Sequence, residues 1–455
     1  MKKYEFYYDE SEHSRKIGYK TVSAVNYYDN FVTIIVGCQS ESKDILCKYE
    51  KFEDTYLCRK NKNGEIKSTT FKQKDFKYGI ASLNKQNTMF LKDFLDIFDI
   101  DAHIYFSINS KIEYLISQLF KEYGNDGIYD IDLMKYSIVK ALITYRPERV
   151  IECIYESPEK FLKELRKFFR DRIEQNLKNV KLKKREINNF EQILLVLDNI
   201  STTLDINWDY HVSFEGFNKY LQENEINDYI LIIDKEGKEG EDSKTFKAAK
   251  NSGLKNVYEE QSTKFSGLRI ADMMAGIISK LLKGLNDSLR YHSLDESIQK
   301  KLLDEKWFKL DENQLKIYKQ IFKLMNKSQH SNNIYHGIYS DDIILLLSLL
   351  EFMNEFDSSK EIKEHINTQG ENFNSFACNK LSDYFLEVAK NSNDERRLLA
   401  LSEGQNIIDV QKVVVDQNNN PVIIVLENGV HKYYYLPEDL TEWHNMMMDK
   451  DCLEV

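Results

Sequence analysis

The chain has 455 residues, 42% of them hydrophobic and only four of them proline, a composition typical of a globular protein and not of a disordered one. A net charge of −11 argues against a protein that coats nucleic acid, because such binding depends on Lys and Arg displacing counterions, but leaves an enzyme with a locally basic groove open. Six cysteines, none in a C-x-x-C pair, predict neither a zinc site nor a disulfide framework.

The N-terminal segment predicts closely spaced strands. The aromatic-rich run at residues 4–9 and the run Phe31–Gly37 (FVTIIVG) both have strand character. Further strands are predicted near Lys48–Phe52 and at Glu65–Phe71, the latter after the Asn63-Gly64 turn signal. Together these runs predict an antiparallel meander.

The pattern then becomes mainly helical. Met89–Phe98 has helical spacing, and His103–Ile108 (HIYFSI) is predicted to be a buried strand. From residue 111 to about residue 204, apolar residues recur every three or four positions, which predicts a long helical insertion. A helix at Phe214–Glu223 then leads to Tyr229–Asp234 (YILIID), the most strand-like run in the chain.

The C-terminal part predicts helices followed by a small tail. A helix at Ser266–Leu282 precedes a helical region that extends to about residue 365, and the runs Val410–Val415 and Pro421–Leu426 predict a β-hairpin. The predicted domains are residues 1–285 with an insertion at about 111–226, a helical region at 286–365, and a small α+β tail at 366–455.

Acidic side chains stand at the ends of two predicted strands. Asp9 closes the first strand, and Asp234 follows Ile230–Ile233, whose apolar character is typical of a strand covered on both faces. Ligands of α/β sheets bind outside the carboxyl ends of strands. Because successive strand residues face opposite sides, Asp9 is favoured over Glu10 as a pocket residue. The alternatives are that Asp9 and Glu10 are both strand-terminating surface acids and that Asp234 is simply the first polar residue of the exit loop.

The helix that begins at Ser266 carries an unusual polar face. Asp272 shares that face with Ala275, Gly276 and Ser279, opposite the apolar side chains. A solvated face would carry long polar side chains, and a glycine inside a helix costs about 0.5–1 kcal/mol relative to alanine. Small residues beside an acid therefore predict that the sheet, a metal or a substrate approaches closely there.

One stretch of the predicted insertion has an excess of basic residues. It comprises Lys163, Arg166, Lys167, Arg170, Arg172 and the run KNVKLKKR at Lys178–Arg185. This stretch is either an ordinary solvated helix face or a surface that binds a nucleic-acid backbone.

Taken together, these segments resemble an uncharacterised bacterial family with an RNase H-like fold, the domain of unknown function 3800 (DUF3800). Members open with Asp-Glu-Ser, matched by Asp9–Ser11, and continue with Glu-x-Lys, matched by Glu65–Lys67. An apolar strand ending in Asp follows, here at Asp234, and then a serine-bearing segment and a helix of the form Leu-Gln-x-Ala-Asp-x-x-Ala-Gly, here within Ser262–Gly276. The chain departs from the pattern at Arg269, where the family has Gln, and in the greater length before Asp234.

The resemblance, which covers about 285 residues, implies an RNase H-like mixed sheet. Together with the patterns above, it predicts an α/β fold with a long helical insertion, a following helical region and a small C-terminal tail that contains a β-hairpin. It also implies a carboxylate cluster that binds Mg²⁺ or Mn²⁺ and cuts phosphodiesters of RNA or DNA, in the context of bacterial defence or mobile elements. The implied catalytic residues are Asp9, Glu65, Asp234 and Asp272, all as metal ligands, with Glu10 as a secondary candidate and Lys67 as a phosphate contact or charge-balancing partner. Asp9 would bridge two cations, with Asp234 and Asp272 completing one coordination sphere and Glu65 the other.

Two other functions stay open at this point. One is a catalytically silent RNase H-like module that binds a protein or nucleic-acid partner through the insertion or the tail, an option that the acidic net charge favours. The other is a hydrolase or transferase of small nucleotides. In each case we expect a soluble, cytoplasmic protein without membrane association, because no apolar run approaches the roughly 20 residues that span a bilayer and no signal-peptide pattern is present.

Overall fold

The computed structural model describes residues 3–12, 29–98, 102–121, 123, 131–154, 156–199, 211–235, 241–291, 300–326, 338–402, 408–415, 421–427 and 430–435. The chain separates into two compact units, Met1–Leu381 and Ser382–Val455. The division into three parts, with boundaries at residues 285 and 365, stays a prediction.

The first unit combines strands and helices. Its strands are β1 (Tyr4–Ser11), β2 (Asn30–Gln39), β3 (Lys77–Ile80), β4 (His103–Ser110), β5 (Tyr229–Asp234) and β6 (Val257–Glu260). Its helices are α1 (Asp44–Thr55), α2 (Lys85–Leu95), α3 (Lys111–Leu119), α4 (Ile131–Tyr145), α5 (Glu148–Cys153), α6 (Pro158–Asn176), α7 (Val180–Asn199), α8 (Val212–Glu223), α9 (Lys244–Asn251), α10 (Ser266–Leu289), α11 (Glu312–Asn326), α12 (Asp341–Asn354), α13 (Ser359–Glu364) and the first part of α14 (Gln369–Ser402).

A five-stranded mixed sheet forms the centre of this unit, in the order β4-β2-β1-β5-β6. β2 is antiparallel to both of its neighbours, whereas β1, β5 and β6 are parallel to one another. In this register Tyr8 lies opposite Ile233, so Asp9 and Asp234 follow at adjacent positions on neighbouring strands. The α/β class and the mixed sheet are confirmed.

The two faces of the sheet are covered by different helices. Gly267 of α10 approaches the ring of Tyr7 so closely that a Cβ there would lie 2.2 Å from it. Tyr8 stacks on Phe214 of α8, with 4.9 Å between ring centroids. Because side chains alternate along a strand, Asp9 points to the same side as Tyr7, the α10 face.

The helices predicted from residue 111 to about residue 204 are confirmed over the described residues up to 199, whereas their being an insertion into a larger domain stays a prediction. Helices α3 to α7 pack around one hydrophobic cluster, which also includes Tyr339 and is distinct from the cluster between the sheet and α8. Isolated helices of this length are marginal in water, and burial of one apolar face stabilises them. These helices therefore share a core distinct from that of the sheet and α8.

Two of the predicted strands are wrong. Lys48–Phe52 lies inside α1, whose buried side chains recur at helical spacing: Ile45, Leu46, Tyr49, Phe52 and Glu53. Glu65–Phe71 contains a 3₁₀ turn at Ser68–Thr70, although Gly64, with φ of 78°, does form the turn that the sequence predicts. The meander is therefore limited to β1, β2 and β4.

The second unit contains a three-stranded antiparallel sheet in the order β7 (Ile408–Val415), β8 (Pro421–Glu427) and β9 (Val430–Tyr435). The predicted hairpin is thus confirmed, with one further strand. The part of the insertion at residues 200–210 lies outside the described residues. Among the helices that are described, none combines the length and the apolar character needed to cross a bilayer.

Candidate active site

Three acidic side chains from distant parts of the chain meet at one edge of the sheet. Asp234 ends β5, whereas Asp9 lies two residues before the end of the adjacent parallel strand β1, so the prediction that Asp9 closes its strand is wrong by two residues. Neighbouring strands lie about 4.8 Å apart. Ile233 packs in the cluster on the α8 side, so Asp234 points, like Asp9, to the α10 face. Asp272 lies on α10 itself.

The electrostatics of Asp9 show that these acids are close together. Burial raises the pKa of the Asp9 carboxyl well above its usual value, and the negative charges of Asp272, Glu10 and Asp234 raise it further, in that order. The pKa of Asp9 is lowered by the hydrogen bond that the backbone N–H of Glu10 donates to Asp9 Oδ1, at 2.7 Å. The site thus crowds negative charge around a partly buried carboxyl group.

Asp234 has a partner of opposite charge. Lys67 Nζ lies 3.7 Å from Asp234 Oδ2, and the backbone N–H of Ser262 donates to Asp234 Oδ1 at 3.0 Å. Burial nevertheless raises the pKa of Asp234; Lys67 and the Ser262 hydrogen bond lower it, while Asp272 and Glu65 raise it. Asp234 therefore interacts with both Asp272 and Glu65.

Asp272 is held by the 3₁₀ turn at Ser68–Thr70. Its two carboxylate oxygens accept hydrogen bonds from the backbone N–H of Ser68 at 2.7 Å and from the Ser68 hydroxyl at 2.9 Å. A Cβ on Gly276 would lie 2.2 Å from Ser68 Cβ, so only glycine admits the turn at this distance. The predicted close approach to the small-residue face is confirmed, and the approaching element is this turn.

Glu65 and Lys67 are joined through Ser262. Glu65 is buried, and the Ser262 hydroxyl donates a hydrogen bond to Glu65 Oε1 at 2.8 Å. Lys67 Nζ donates to the same hydroxyl oxygen at 2.8 Å. Ser262, which the sequence did not single out as a site residue, thus links Glu65, Lys67 and Asp234 in one hydrogen-bonded group.

Glu10 lies on the other side of the sheet. It shares the α8 face with Tyr8, because the two residues are two apart on β1, and after burial the Glu10 charge is the largest effect raising the pKa of Tyr8. Its backbone N–H, not its carboxylate, contacts Asp9. This placement favours Asp9 over Glu10 as a member of the acidic centre, which lies on the α10 face.

Arg269 replaces the glutamine of the family pattern without leaving its polar atoms unpaired. Its guanidinium donates two hydrogen bonds to Glu53, at 2.9 Å and 2.8 Å, and one to the carbonyl oxygen of Ser262 at 2.7 Å. Such forked pairs are among the strongest hydrogen-bonding arrangements in proteins. Arg269 therefore fixes the backbone at Ser262, whose side chain contacts Glu65 and Lys67.

Lys280 is a basic residue of the site that sequence reasoning missed. Burial lowers the pKa of its ammonium group, and the nearby negative charges of Asp272 and Glu12 raise it. It lies two helical turns beyond Asp272 on α10 and donates to the carbonyl oxygen of Gly276 at 3.3 Å. The positive charge of Lys280, between these two acids, would offset the negative charge of an anionic group bound at the site.

The basic stretch of the insertion lies on α6 and α7. Part of it is paired with local acids: Arg170 contacts Asp198 at 3.2 Å and Lys183 contacts Glu186 at 2.8 Å. Exposed basic side chains on the same two helices are Lys163, Lys167, Lys181, Lys184 and Arg185, and the exposed Lys178 lies on the 3₁₀ turn between them. Both interpretations of this stretch, a solvated face and a backbone-binding surface, stay open.

The donor atoms of the cluster suit a hard cation, since all of them are carboxylate oxygens. Within the described ranges, however, no three His, Cys, Asp or Glu side chains are arranged so that they could hold a metal ion. The hydrogen bonds from Ser68 to Asp272 and from Ser262 to Asp234 account for this arrangement, because they direct carboxylate oxygens toward protein donors. Metal binding would require some of these oxygens to turn toward the cation.

No family model, curated protein or solved structure matches this chain. The resemblance to the DUF3800 family therefore stays a prediction that rests on the sequence motifs.

Proposed function

We propose that the protein is a metal-dependent phosphodiester hydrolase that cuts RNA or DNA, with Asp9, Asp234 and Asp272 as its acidic centre. The observation that carries this proposal is the placement of Asp9 and Asp234 at adjacent positions on the paired strands β1 and β5, with Asp272 near enough for its charge to raise the pKa of Asp9. Perturbed carboxyl groups that gather at the carboxyl edge of an α/β sheet are typical of active sites. These three acids come from separate parts of the chain.

The topology of the sheet also supports the proposal. Counted along the chain among the strands of the sheet, the order is 3-2-1-4-5, and only the second strand is antiparallel to the others. In this topology the parallel strands β1 and β5 are neighbours, so Asp9, near the end of β1, lies beside Asp234 at the end of β5.

The residues divide into two groups by their proposed roles. Asp9, Asp234 and Asp272 would hold Mg²⁺ or Mn²⁺, which supplies electrostatic stabilisation of the phosphate oxygens when it is bound. Lys67, already 3.7 Å from Asp234, would contact a substrate phosphate or balance the acid charge. Glu65 would position Lys67 through Ser262. This supporting role replaces the one that the family resemblance implies for Glu65, as a ligand of the second cation.

The test is cleavage of labelled single-stranded and double-stranded RNA and DNA in the presence of Mn²⁺. We expect wild-type protein to cleave at least one substrate, and Asp9→Asn and Asp272→Asn to lose that activity. Asp54→Asn, a change on an exposed face of α1, is the matched control and should retain it. Cleavage that persists undiminished in Asp9→Asn would assign the activity to another site or to a contaminant.

A second candidate function is a catalytically silent module that binds a nucleic-acid or protein partner. It is favoured by the hydrogen bonds that already occupy the acids, above all the two from Ser68 to Asp272. The same assay separates the two functions. A folded wild-type protein that cuts none of the four substrates in Mn²⁺ or Mg²⁺ would support the silent module.

A further inference from the structure

A second polar site lies beyond the acidic centre, at the C-terminal end of α10. It is a cavity of about 590 Å³, lined by residues of α4, α7, α10 and α12 and by the start of β2. Pockets for small organic ligands have volumes of about 300–1,000 Å³. Its size therefore suits one ligand of roughly nucleotide dimensions.

A buried carboxyl oxygen in the wall of this cavity lacks a partner. Asp29 is 6% exposed; its Oδ1 accepts a hydrogen bond from the backbone N–H of Ile112 at 2.9 Å, whereas in the part of the chain that the structure describes its Oδ2 has no hydrogen-bond partner. A buried polar atom without a partner costs about 1–3 kcal/mol. Asp29 lines the cavity, so a ligand N–H group that reaches Oδ2 would satisfy this acceptor.

A second carboxyl group faces the same cavity. Asp342 Oδ2 accepts a hydrogen bond from the side-chain amide of Asn30 at 2.7 Å. Burial raises the pKa of Asp342 to about 7, with further increases from Asp29 and Asp341 and opposing effects of Lys140 and Arg146. Near neutral pH this carboxyl group therefore serves as an acceptor or, when protonated, as a donor. Donors and acceptors on neighbouring groups match the mixed edge of a nucleobase.

The rest of the lining supplies flat rings and positive charge. Tyr136 and Tyr145 line the cavity together with Lys140, Arg146 and Lys183. Lys140 forms an ion pair with Asp341, and Lys183 forms one with Glu186 at 2.8 Å, so both ammonium groups are already oriented by acids. Aromatic rings stack on bases, and ammonium and guanidinium groups bind phosphate. The lining therefore combines the groups that recognise each part of a nucleotide.

The cavity lies on the same face of the sheet as the acidic centre. On β2, Ile34 is paired with Asp9. Asn30, which lines the cavity, lies four residues before Ile34 on the same strand. Four residues of a strand span about 13 Å, and an even separation keeps both side chains on the α10 face. Lys280 lies between Asp272 and the cavity along α10. A short length of single strand would connect the two sites.

We infer that this cavity binds one nucleotide of the RNA or DNA strand, with its base at Asp29 and Asp342 and its phosphate at the cations of α4 and α7. The inference deepens the proposed function and rests on it for the identity of the strand. It assigns substrate recognition to the insertion, which supplies α4 and α7, and separates that recognition from the acids that would cut the strand.

The test is calorimetric titration of the full-length protein with AMP, GMP, CMP and UMP in EDTA, where no metal-dependent cleavage takes place. We expect at least one nucleotide to bind, and Asp29→Asn, which keeps the Oδ1 that accepts the Ile112 N–H, to weaken it at least tenfold. Asp342→Asn should weaken the same nucleotide. Asp54→Asn, on an exposed face of α1, is the control and should bind as wild type does.

The outcomes distinguish this inference from the proposed function. If the nucleotide binds and Asp29→Asn weakens it, the site is supported even where no substrate is cut. If none of the four nucleotides binds, or if Asp29→Asn and Asp342→Asn both bind as tightly as wild type, the inference is overturned, whether or not the protein cleaves RNA or DNA. For a cleaving protein, Asp29→Asn should raise KM with little change in kcat.

Discussion

Ser68 holds both carboxylate oxygens of Asp272, one through its backbone N–H at 2.7 Å and the other through its hydroxyl at 2.9 Å. This contact joins a turn early in the chain to the long helix α10, and it fixes Asp272 beside Asp9 and Asp234. The organisation of the acidic centre therefore depends on how closely the turn approaches α10.

Gly276→Ala should destabilise the protein, because the new Cβ would lie 2.2 Å from Ser68 Cβ and 2.7 Å from Ser68 Oγ. Overpacking of this kind costs about 1–3 kcal/mol, against a gain of about 0.5–1 kcal/mol from replacing a helical glycine, so a net loss of about 1–2 kcal/mol is expected. Urea unfolding measures the difference. Ser68→Gly in the same protein should recover part of that loss; strictly additive effects of the two changes would contradict the contact.

Arg269→Gln, which introduces the residue of the family pattern, should be strongly destabilising. It leaves the buried carboxylate of Glu53 without the two hydrogen bonds that Arg269 donates, and removal of one partner of a buried pair costs about 3–5 kcal/mol. Arg269→Gln combined with Glu53→Gln should be much closer to wild type in chemical unfolding. A double variant no more stable than the single one would argue against this pairing.

Asp9→Asn should stabilise the metal-free protein at neutral pH, because asparagine brings no charge into the crowded site. The pKa of Asp9 is higher in the folded protein than in the unfolded chain. As pH rises, Asp9 therefore ionises first in the unfolded chain, and the wild type loses stability until the pH reaches the folded-state pKa. The melting temperature of Asp9→Asn should exceed that of wild type clearly at about pH 7 and little at about pH 4, near the ordinary aspartate pKa. A gain in melting temperature that is larger at the acidic pH would contradict the crowding of negative charge around Asp9. An equal gain in the exposed variant Asp54→Asn would contradict it as well.

Lys67→Met should raise the pKa of Asp234 further, because the Lys67 charge is the largest effect that lowers it. Carboxyl-carbon NMR titration of Asp234 measures this shift, with the exposed Lys62→Met as the control. Loss of such a supporting group lowers the activity of metal sites about 10–100-fold, and we expect a decrease of that size in any cleavage rate. An unchanged Asp234 titration would show that the ammonium group of Lys67 does not act on this carboxylate.

Much of the sheet could be predicted because its strands have strong local patterns. β1, β2, β4 and β5 are aromatic or apolar runs, and their buried side chains in the structure match those runs. Lys48–Phe52 was misleading because its two aromatic residues favour a strand, whereas their spacing of three, together with Ile45 and Leu46, follows the period of a helix. β6 was missed because it has only four residues, of which just Val257 is buried.

The acids of the site could be predicted from strand ends and from the small residues beside Asp272, but their partners could not. Ser262 and Lys280 have no distinctive local pattern, since their roles depend on which distant segments pack against them. Ser262 contacts Glu65, 197 residues away in sequence. Only the folded chain shows that Lys67 and Asp234 share this serine.

Titration of the metal-free protein with Mn²⁺ in a calorimeter tests the central claim most directly. We expect saturable Mn²⁺ binding to wild type, at least about tenfold weaker binding to Asp9→Asn and to Asp272→Asn, and unchanged binding to Asp54→Asn, whose side chain is exposed on α1. Absence of Mn²⁺ binding to the folded wild-type protein, or equal affinities in wild type and both aspartate variants, would show that these acids do not form a metal centre.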